Sequence, residues 1–180
     1  PFSPRYMTAE PMVIILGAGQ PFAGTEPSAL TQTSGDRRVL DWLLEAFDET
    51  LENPEIHFVG GYRMDDVLDA YPNVHFSRND DWEDYGTVSS LFTAPISTDR
   101  PVYVCYADTI FDPSVVDAIT NDNGVKAAID TSWQTRYRSR SEESLDRAET
   151  VRLDGTQIID IDDTLDTAQS DGEFTGLVRF

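Results

Sequence analysis

Three strand-like runs in this 180-residue sequence, two of them wholly apolar, end on residues that can do chemistry. The first, residues 12–16, is rich in β-branched side chains and breaks at once into Gly17-Ala18-Gly19. Small residues after a buried strand let the backbone turn sharply and let a ligand approach the amide N–H groups. The usual ligand of converging amides is a phosphate. The second run, residues 102–106, leads through Ala107 into Asp108, and the third, residues 125–129, into Asp130. In open α/β sheets ligands sit at the carboxyl ends of the strands, so all three features fall where a site is expected. A carboxylate facing a phosphate loop suits Mg²⁺, which takes one or two carboxylates plus substrate oxygens. Each feature also has a plainer reading. A tight βα turn without ligand has the same composition, Asp108 can cap the next turn, and Asp130 can be a cap or an ion-pair partner.

The charge balance narrows the partners. Asp and Glu total 33 against 13 Lys and Arg, a net charge of −20. Such a surface repels a phosphate backbone, which excludes non-specific nucleic-acid binding. No run of 18 apolar residues is present, so no membrane span is expected, and the given sequence opens without a secretory signal pattern. Residues 1–6 read as a cut end, with Met7 the expected native start. A single cysteine, Cys105, lies in an apolar run, forms no internal disulfide and fits a reducing cytoplasm. Among the cations Lys126 is the one lysine, and five of the twelve arginines fall between positions 136 and 152. In so acidic a chain that cluster marks a place that holds an anion. The alternative is a solvated network with Glu142, Glu143 and Asp146.

The elements that must position these residues follow from periodicity. Residues 12–16, 56–60, 74–76, 102–106 and 125–129 are expected strands. Residues 37–51 carry apolar side chains at helical spacing (Val39, Leu40, Leu43, Leu44, Phe47, Leu51). Residues 64–71 form a short helix stopped by Pro72. Residues 87–94 form another, with Val88, Leu91 and Phe92 expected inward. Asp112-Pro113 opens a further helix with Val115, Val116 and Ile119 on its buried side. Residues 80–85 are an expected loop, and within 131–147 helix is expected only in the last third. Asp154-Gly155 between two short β runs signals a hairpin, and residues 172–180 read as a last strand. His57 and His75 are expected to be structural, and Cys105 buried and inert. At this length and with 39% apolar residues the chain is expected to form a single domain, residues 7–180. The alternation of strands and helices predicts a mixed, mostly parallel sheet flanked by helices, with the late hairpin adding antiparallel strands.

Beside this reading stands a resemblance. The segments VIILGAGQPF…EPSAL, VGGY at 59–62, YGTVSSL at 85–91 and CYADTIF at 105–111 resemble the nucleotidyltransferases of the pyrophosphorylase type. More narrowly, Asp130-Thr131-Ser132-Trp133, Tyr137, Arg138, Arg140, the ETVRLDG hairpin and GEFTGL at 172–177 look like the phosphocholine and phosphonate cytidylyltransferases. The fosfomycin-pathway members, fused to a phosphoenolpyruvate phosphomutase domain, are especially similar, so the chain is expected to be part of a longer bifunctional protein. Two departures stand out. Gln20-Pro21-Phe22 occupies the place of the family's loop arginine, and Ser28 that of the lysine in its P-K-x-L segment.

The resemblance implies a Rossmann-like, GT-A-like fold and a Mg²⁺-dependent transfer of CMP from CTP to a small phosphonate, with 2-hydroxyethylphosphonate favoured. On that reading Leu16, Gly17, Ala18, Gly19 and Gln20 meet the nucleotide, and Gly86, Thr87, Ser89 and Ser90 hold its base and ribose. Asp108 binds the metal, with Glu173 or Asp130 as second ligand. Arg138 and Arg140, with Asp130, Trp133 and Tyr137, grip the phosphonate, since a guanidinium fork pairs with its oxygens. Plainer readings remain beside these. Residues 86–90 can be a helix start, Trp133 and Tyr137 core aromatics, and Glu173 a solvent-facing strand residue.

Overall fold

The computed structural model describes residues 10–97, 99–120, 124–138, 145, 148–162 and 169–180. The chain divides into two compact units, Pro1–Val125 with Val178–Phe180, and Lys126–Leu177.

The first unit is built on β1 (Met12–Gly17), buried along nearly its whole length. It pairs in parallel with β2 (Glu55–Gly60) on one side and β4 (Val102–Tyr106) on the other, Ile14 facing His57 and Val104. β3 (His75–Arg78) extends the parallel order beyond β2, and Val178 and Arg179 pair antiparallel with β4. A strand covered on both faces has no polar side to alternate with, which is why 12–16 reads as an unbroken apolar run. α1 (Val39–Thr50) buries Leu40, Leu43 and Phe47 completely, and Phe47 meets Tyr103 and Phe111 edge to face. Its first turn is closed by Asp41, whose Oδ2 accepts the Arg38 amide at 2.8 Å. α2 (Met64–Ala70) and α4 (Pro113–Thr120) follow the predicted spans, with Val116 and Ile119 buried.

α3 (Thr87–Thr93) forms as expected but is rotated. Val88 is 67% exposed and Phe92 75%, so two of the three side chains expected inward face outward. The buried line is Ser90, Leu91 and Ala94 instead. Asn79 sets it: its Nδ2 donates to the Ser90 hydroxyl at 3.0 Å in the interior. A buried amide and hydroxyl must pair with something, and pairing with each other outweighs an apolar stripe of two residues.

His57 is a packing residue, while His75 is exposed. His57 is buried, its Nε2 2.7 Å from the Ser77 hydroxyl and its Nδ1 without a partner. Its ring stacks on His75 at 6.3 Å. Burial, and secondarily His75, push the His57 pKa below the usual imidazole value of 6.5, against a weaker opposing pull from Glu55. A proton on His57 therefore favours the unfolded chain, and stability is lost as the pH falls below about 6.5. Replacing His57 by phenylalanine is expected to shrink the drop in melting temperature between pH 7.5 and 5.5, measured against the parent protein.

In the second unit, β6 (Thr150–Asp154) and β7 (Gln157–Asp162) form the antiparallel hairpin with Gly155 at φ +60°, a turn conformation that glycine adopts without steric cost. β5 (Lys126–Asp130) and β6 both pair with β8 (Gly172–Arg179), Thr150 lying opposite Glu173. A Cβ on Gly172 would come within 2.5 Å of Ile129 Cγ2, so only glycine allows the close approach of β5 to β8. α5 (Trp133–Tyr137) corrects the expectation that helix within 131–147 is confined to the last third, where Leu145 is helical as expected. Two aromatics at i and i+4 pack edge to face at 5.4 Å over Ala148 and Leu145 and nucleate the helix early. Most of that last third lies outside the described residues.

Candidate functional site

The carboxyl edge of the parallel sheet in the first unit gathers most of the nucleotide-side candidates. The Leu16 carbonyl accepts the Ala107 amide at 2.9 Å. A Cβ on Gly17 would stand 2.4 Å from Phe58 Cζ and 2.9 Å from Ala107 Cβ. Gly17 is therefore glycine because β1 closes on its neighbours there, a packing demand that accounts for this position whether or not a ligand sits at the bend. The same contact carries Asp108, one residue on from Ala107, to the edge beside the bend, where it is exposed. Gly19 and Gln20 are exposed, and open space surrounds the Cβ position of Gly19. Ala18 is buried, its carbonyl accepting the Tyr62 amide at 2.8 Å.

At the start of α3, Gly86 and Thr87 are exposed, Ser89 half-buried, and the Cβ position of Gly86 opens on empty space. Ser90 departs from its expected role. It is buried and its hydroxyl is engaged by Asn79, which places it beneath the helix rather than at a ligand surface.

Residues the sequence reading left unassigned hold the loop after β1. A Cβ on Gly61 would clash with Trp82 and approach the Ala18 carbonyl to 2.8 Å, while Tyr62 packs on Trp82 at 5.6 Å between ring centres. The Tyr62 hydroxyl and Arg63 Nη1 both donate to the Thr25 carbonyl, at 3.0 and 2.6 Å. The signal for them was Gly60-Gly61 at a strand end, the same small-residue break that marks residues 17–19.

Among the described residues no group of three or more His, Cys, Asp and Glu side chains could by itself cage a metal ion. Asp108 fits a different mode. Exposed, accepting from the Thr109 hydroxyl at 3.4 Å and free of ion pairs among the described residues, its single carboxylate could hold a cation of the kind that takes most of its ligands from elsewhere. Its negative charge also reaches inward. The Cys105 thiol pKa is pushed up by complete burial and, secondarily, by Asp108, so this thiol stays protonated and unreactive.

Among the acceptor-side candidates of the second unit, Asp130 and Tyr137 join a network with Arg136 and Glu173. Asp130 Oδ1 accepts the Ser132 amide at 2.8 Å, and its Oδ2 takes Arg136 Nε and Nη2 at 3.0 and 2.9 Å. Arg136 also donates to Glu173, whose other oxygen accepts the Tyr137 hydroxyl. Burial works against the Arg136 charge, but the carboxylates of Asp130 and Glu173 outweigh it and raise its pKa. Glu173, 7% exposed, thus has both oxygens in use, and this corrects its expected roles as metal ligand or solvent-facing residue. Trp133, 2% exposed, is a core aromatic, so its expected contact with the acceptor is also corrected. Tyr137 is buried with it. Arg138 is exposed at the end of α5, and Arg140 lies outside the described residues. Arg136, expected only as part of the arginine cluster, is held by two carboxylates, more than any other described arginine of this unit.

No protein-family model matches the chain. A search of characterised proteins finds CTP:phosphoglutamine cytidylyltransferase of Campylobacter jejuni, 26% identical over 184 residues that span 93% of this chain and 72% of that protein. Among solved structures, the inositol-1-phosphate CTP transferase of T. maritima superimposes with a TM-score of 0.67 at 18% identity, covering 94% of this chain and 69% of its own. CTP:phosphocholine cytidylyltransferase of Streptococcus pneumoniae does so with a TM-score of 0.58 at 19% identity, covering 95% and 71%. The α/β fold with a mostly parallel sheet is thus that of solved nucleotidyltransferases, and one cytidylyltransferase is similar to this chain in sequence. No helix among the described residues is long and apolar enough to cross a membrane.

Proposed function

We propose that this chain is a cytidylyltransferase, moving CMP from CTP to a small phosphorylated or phosphonate-bearing acceptor with release of pyrophosphate. One observation carries the reading: the contact of Leu16 and Gly17 with Ala107, which sets the exposed carboxylate of Asp108 beside an open backbone bend. In this reaction an acceptor oxygen attacks the α-phosphorus of CTP, the bond to the bridging oxygen breaks, and pyrophosphate leaves with the electron pair. No covalent enzyme intermediate is needed, so the protein's work is positioning and charge stabilisation.

On this proposal Asp108 holds Mg²⁺, which when bound offsets the repulsion between two phosphorus anions. The amides of Gly19 and Gln20 face the phosphates, with Leu16, Gly17 and Ala18 shaping the bend. Gly86, Thr87 and Ser89, small and accessible, take the base and ribose. In the second unit Arg138 and Arg140 take the acceptor's anionic group, while Asp130, Tyr137 and Glu173 hold Arg136 in place. The similar proteins act on acceptors named as phosphoglutamine, inositol-1-phosphate and phosphocholine. Within that range we favour 2-hydroxyethylphosphonate, on the subfamily likeness of residues 130–140 and 172–177. A cationic acceptor such as 2-aminoethylphosphonate or phosphocholine is the alternative, with the acidic and aromatic stretch 80–85 to receive its head. The absence of Lys and Arg from residues 12–36 favours a second reading, a nucleotide-binding domain without turnover.

A panel of four nucleoside triphosphates against hydroxyethylphosphonate, aminoethylphosphonate, phosphocholine and phosphoglutamine, read as pyrophosphate release with Mg²⁺, tests these readings together. Preference for CTP with hydroxyethylphosphonate is expected. Equal or reversed preference for an amine-bearing acceptor overturns the phosphonate assignment, and CTP binding without turnover supports the second reading.

A further inference from the structure

Residues 12–36 contain no lysine or arginine, yet on the function proposed above the bend at 17–20 receives a triphosphate in a chain of net charge −20. A cation reaches this loop from another element. Arg63, between β2 and α2, donates through Nη1 to the Thr25 carbonyl at 2.6 Å, and its Nε donates to Asp66 Oδ2, also at 2.6 Å. The neighbouring Tyr62 grips both ends of the same loop, its amide on the Ala18 carbonyl and its hydroxyl on Thr25. Arg78, the other cation at this edge, is paired with Asp65 on α2.

The backbone at Arg63 is unusual. Its φ of +44° and ψ of +37° lie in the left-handed region, which side-chain-bearing residues disfavour and glycine accepts freely. Gly60 and Gly61 lie three and two residues before it, and neither is in that region. The strained position is thus filled by an arginine where a glycine would sit more easily, and such outliers persist where the surroundings hold them and often serve a site. What the arginine supplies is the fork: the Asp66 carboxylate orients it, the loop carbonyl takes one arm, and it remains partly open to solvent.

We propose that Arg63 is the positioning residue and cationic anchor of the loop after β1, holding residues 18–25 in the form that receives the phosphates of a nucleoside triphosphate and supplying the positive charge the loop lacks. This rests on the nucleotide-binding reading above. A guanidinium aimed at phosphate oxygens makes charge-assisted hydrogen bonds, stronger than neutral ones.

The test is Arg63→Gly, which relieves the backbone while removing the fork. The expected result is a melting temperature equal to or above that of the parent, a KM for CTP raised about tenfold or more, a kcat within about threefold, and an unchanged KM for the acceptor. Calorimetric CTP affinity should fall by the same factor, and Arg63→Lys should recover part of it. An Arg63→Gly protein that folds and keeps the parent KM for CTP overturns the inference. If that variant loses cooperative unfolding, Arg63→Gln decides, since it keeps a donor for Thr25 but no charge: a parental CTP affinity overturns the cationic role. An intact protein that neither binds CTP nor releases pyrophosphate overturns the proposed function and this inference together, whereas an active protein with an indifferent Arg63 overturns only the latter.

Discussion

Asp108→Asn is expected to lower kcat for pyrophosphate release by about 10²- to 10³-fold while leaving the melting temperature unchanged. The side chain is exposed, carries no ion pair among the described residues, and closes no buried network, so its removal costs the fold little. Its loss is felt where charge develops. Two phosphorus-centred anions must come within bonding distance, and a single well-placed electrostatic group in such a site is worth roughly two to three orders of magnitude. Asparagine keeps the shape and removes the charge, so raised Mg²⁺ should restore part of the rate in the variant and none in an inactive control. Full activity in Asp108→Asn would remove the carboxylate from the mechanism.

Trp133→Ala is expected to destabilise the protein by about 3–5 kcal/mol, the usual cost of emptying a buried aromatic site. The indole is almost wholly enclosed, and it supports Tyr137, whose hydroxyl bonds Glu173, which with Asp130 holds Arg136. Such a loss is a large share of the 5–15 kcal/mol typical of a folded domain. Urea unfolding measures it directly. If Trp133 instead stacked on the acceptor, the alanine variant would keep its stability and lose only acceptor affinity, so stability and KM measured on one preparation separate the two roles. Trp133→Phe, which keeps an aromatic ring in the site, should recover much of the stability.

The two variants divide the candidate residues by what can be read in one dimension. Asp108 was legible because a carboxylate straight after a buried parallel strand has few places to go but the sheet's carboxyl edge. Trp133 and Tyr137 were legible as aromatics, but core and acceptor contact stayed equally open for them, because residue type says nothing of what closes over a side chain. Ser90 illustrates the same limit. Its place in a run of small residues suggested ligand contact, whereas Asn79, eleven positions upstream, had already claimed its hydroxyl.

By itself the sequence determined the order of strands and helices, the parallel arrangement around β1, the late hairpin and the bend after residue 16, since each rests on local periodicity and turn chemistry. Tertiary structure decided which face α3 buries, that Gly17 answers to Phe58 and Ala107, that Glu173 is consumed by Arg136 and Tyr137, and that an arginine of the β2–α2 turn bonds the Thr25 carbonyl of a stretch with no cation of its own. The reason is physical: periodicity records how often a side chain meets the interior, but a hydrogen bond or a steric clash depends on which distant residue arrives opposite it. That partner is fixed only when the strands pair and the loops close.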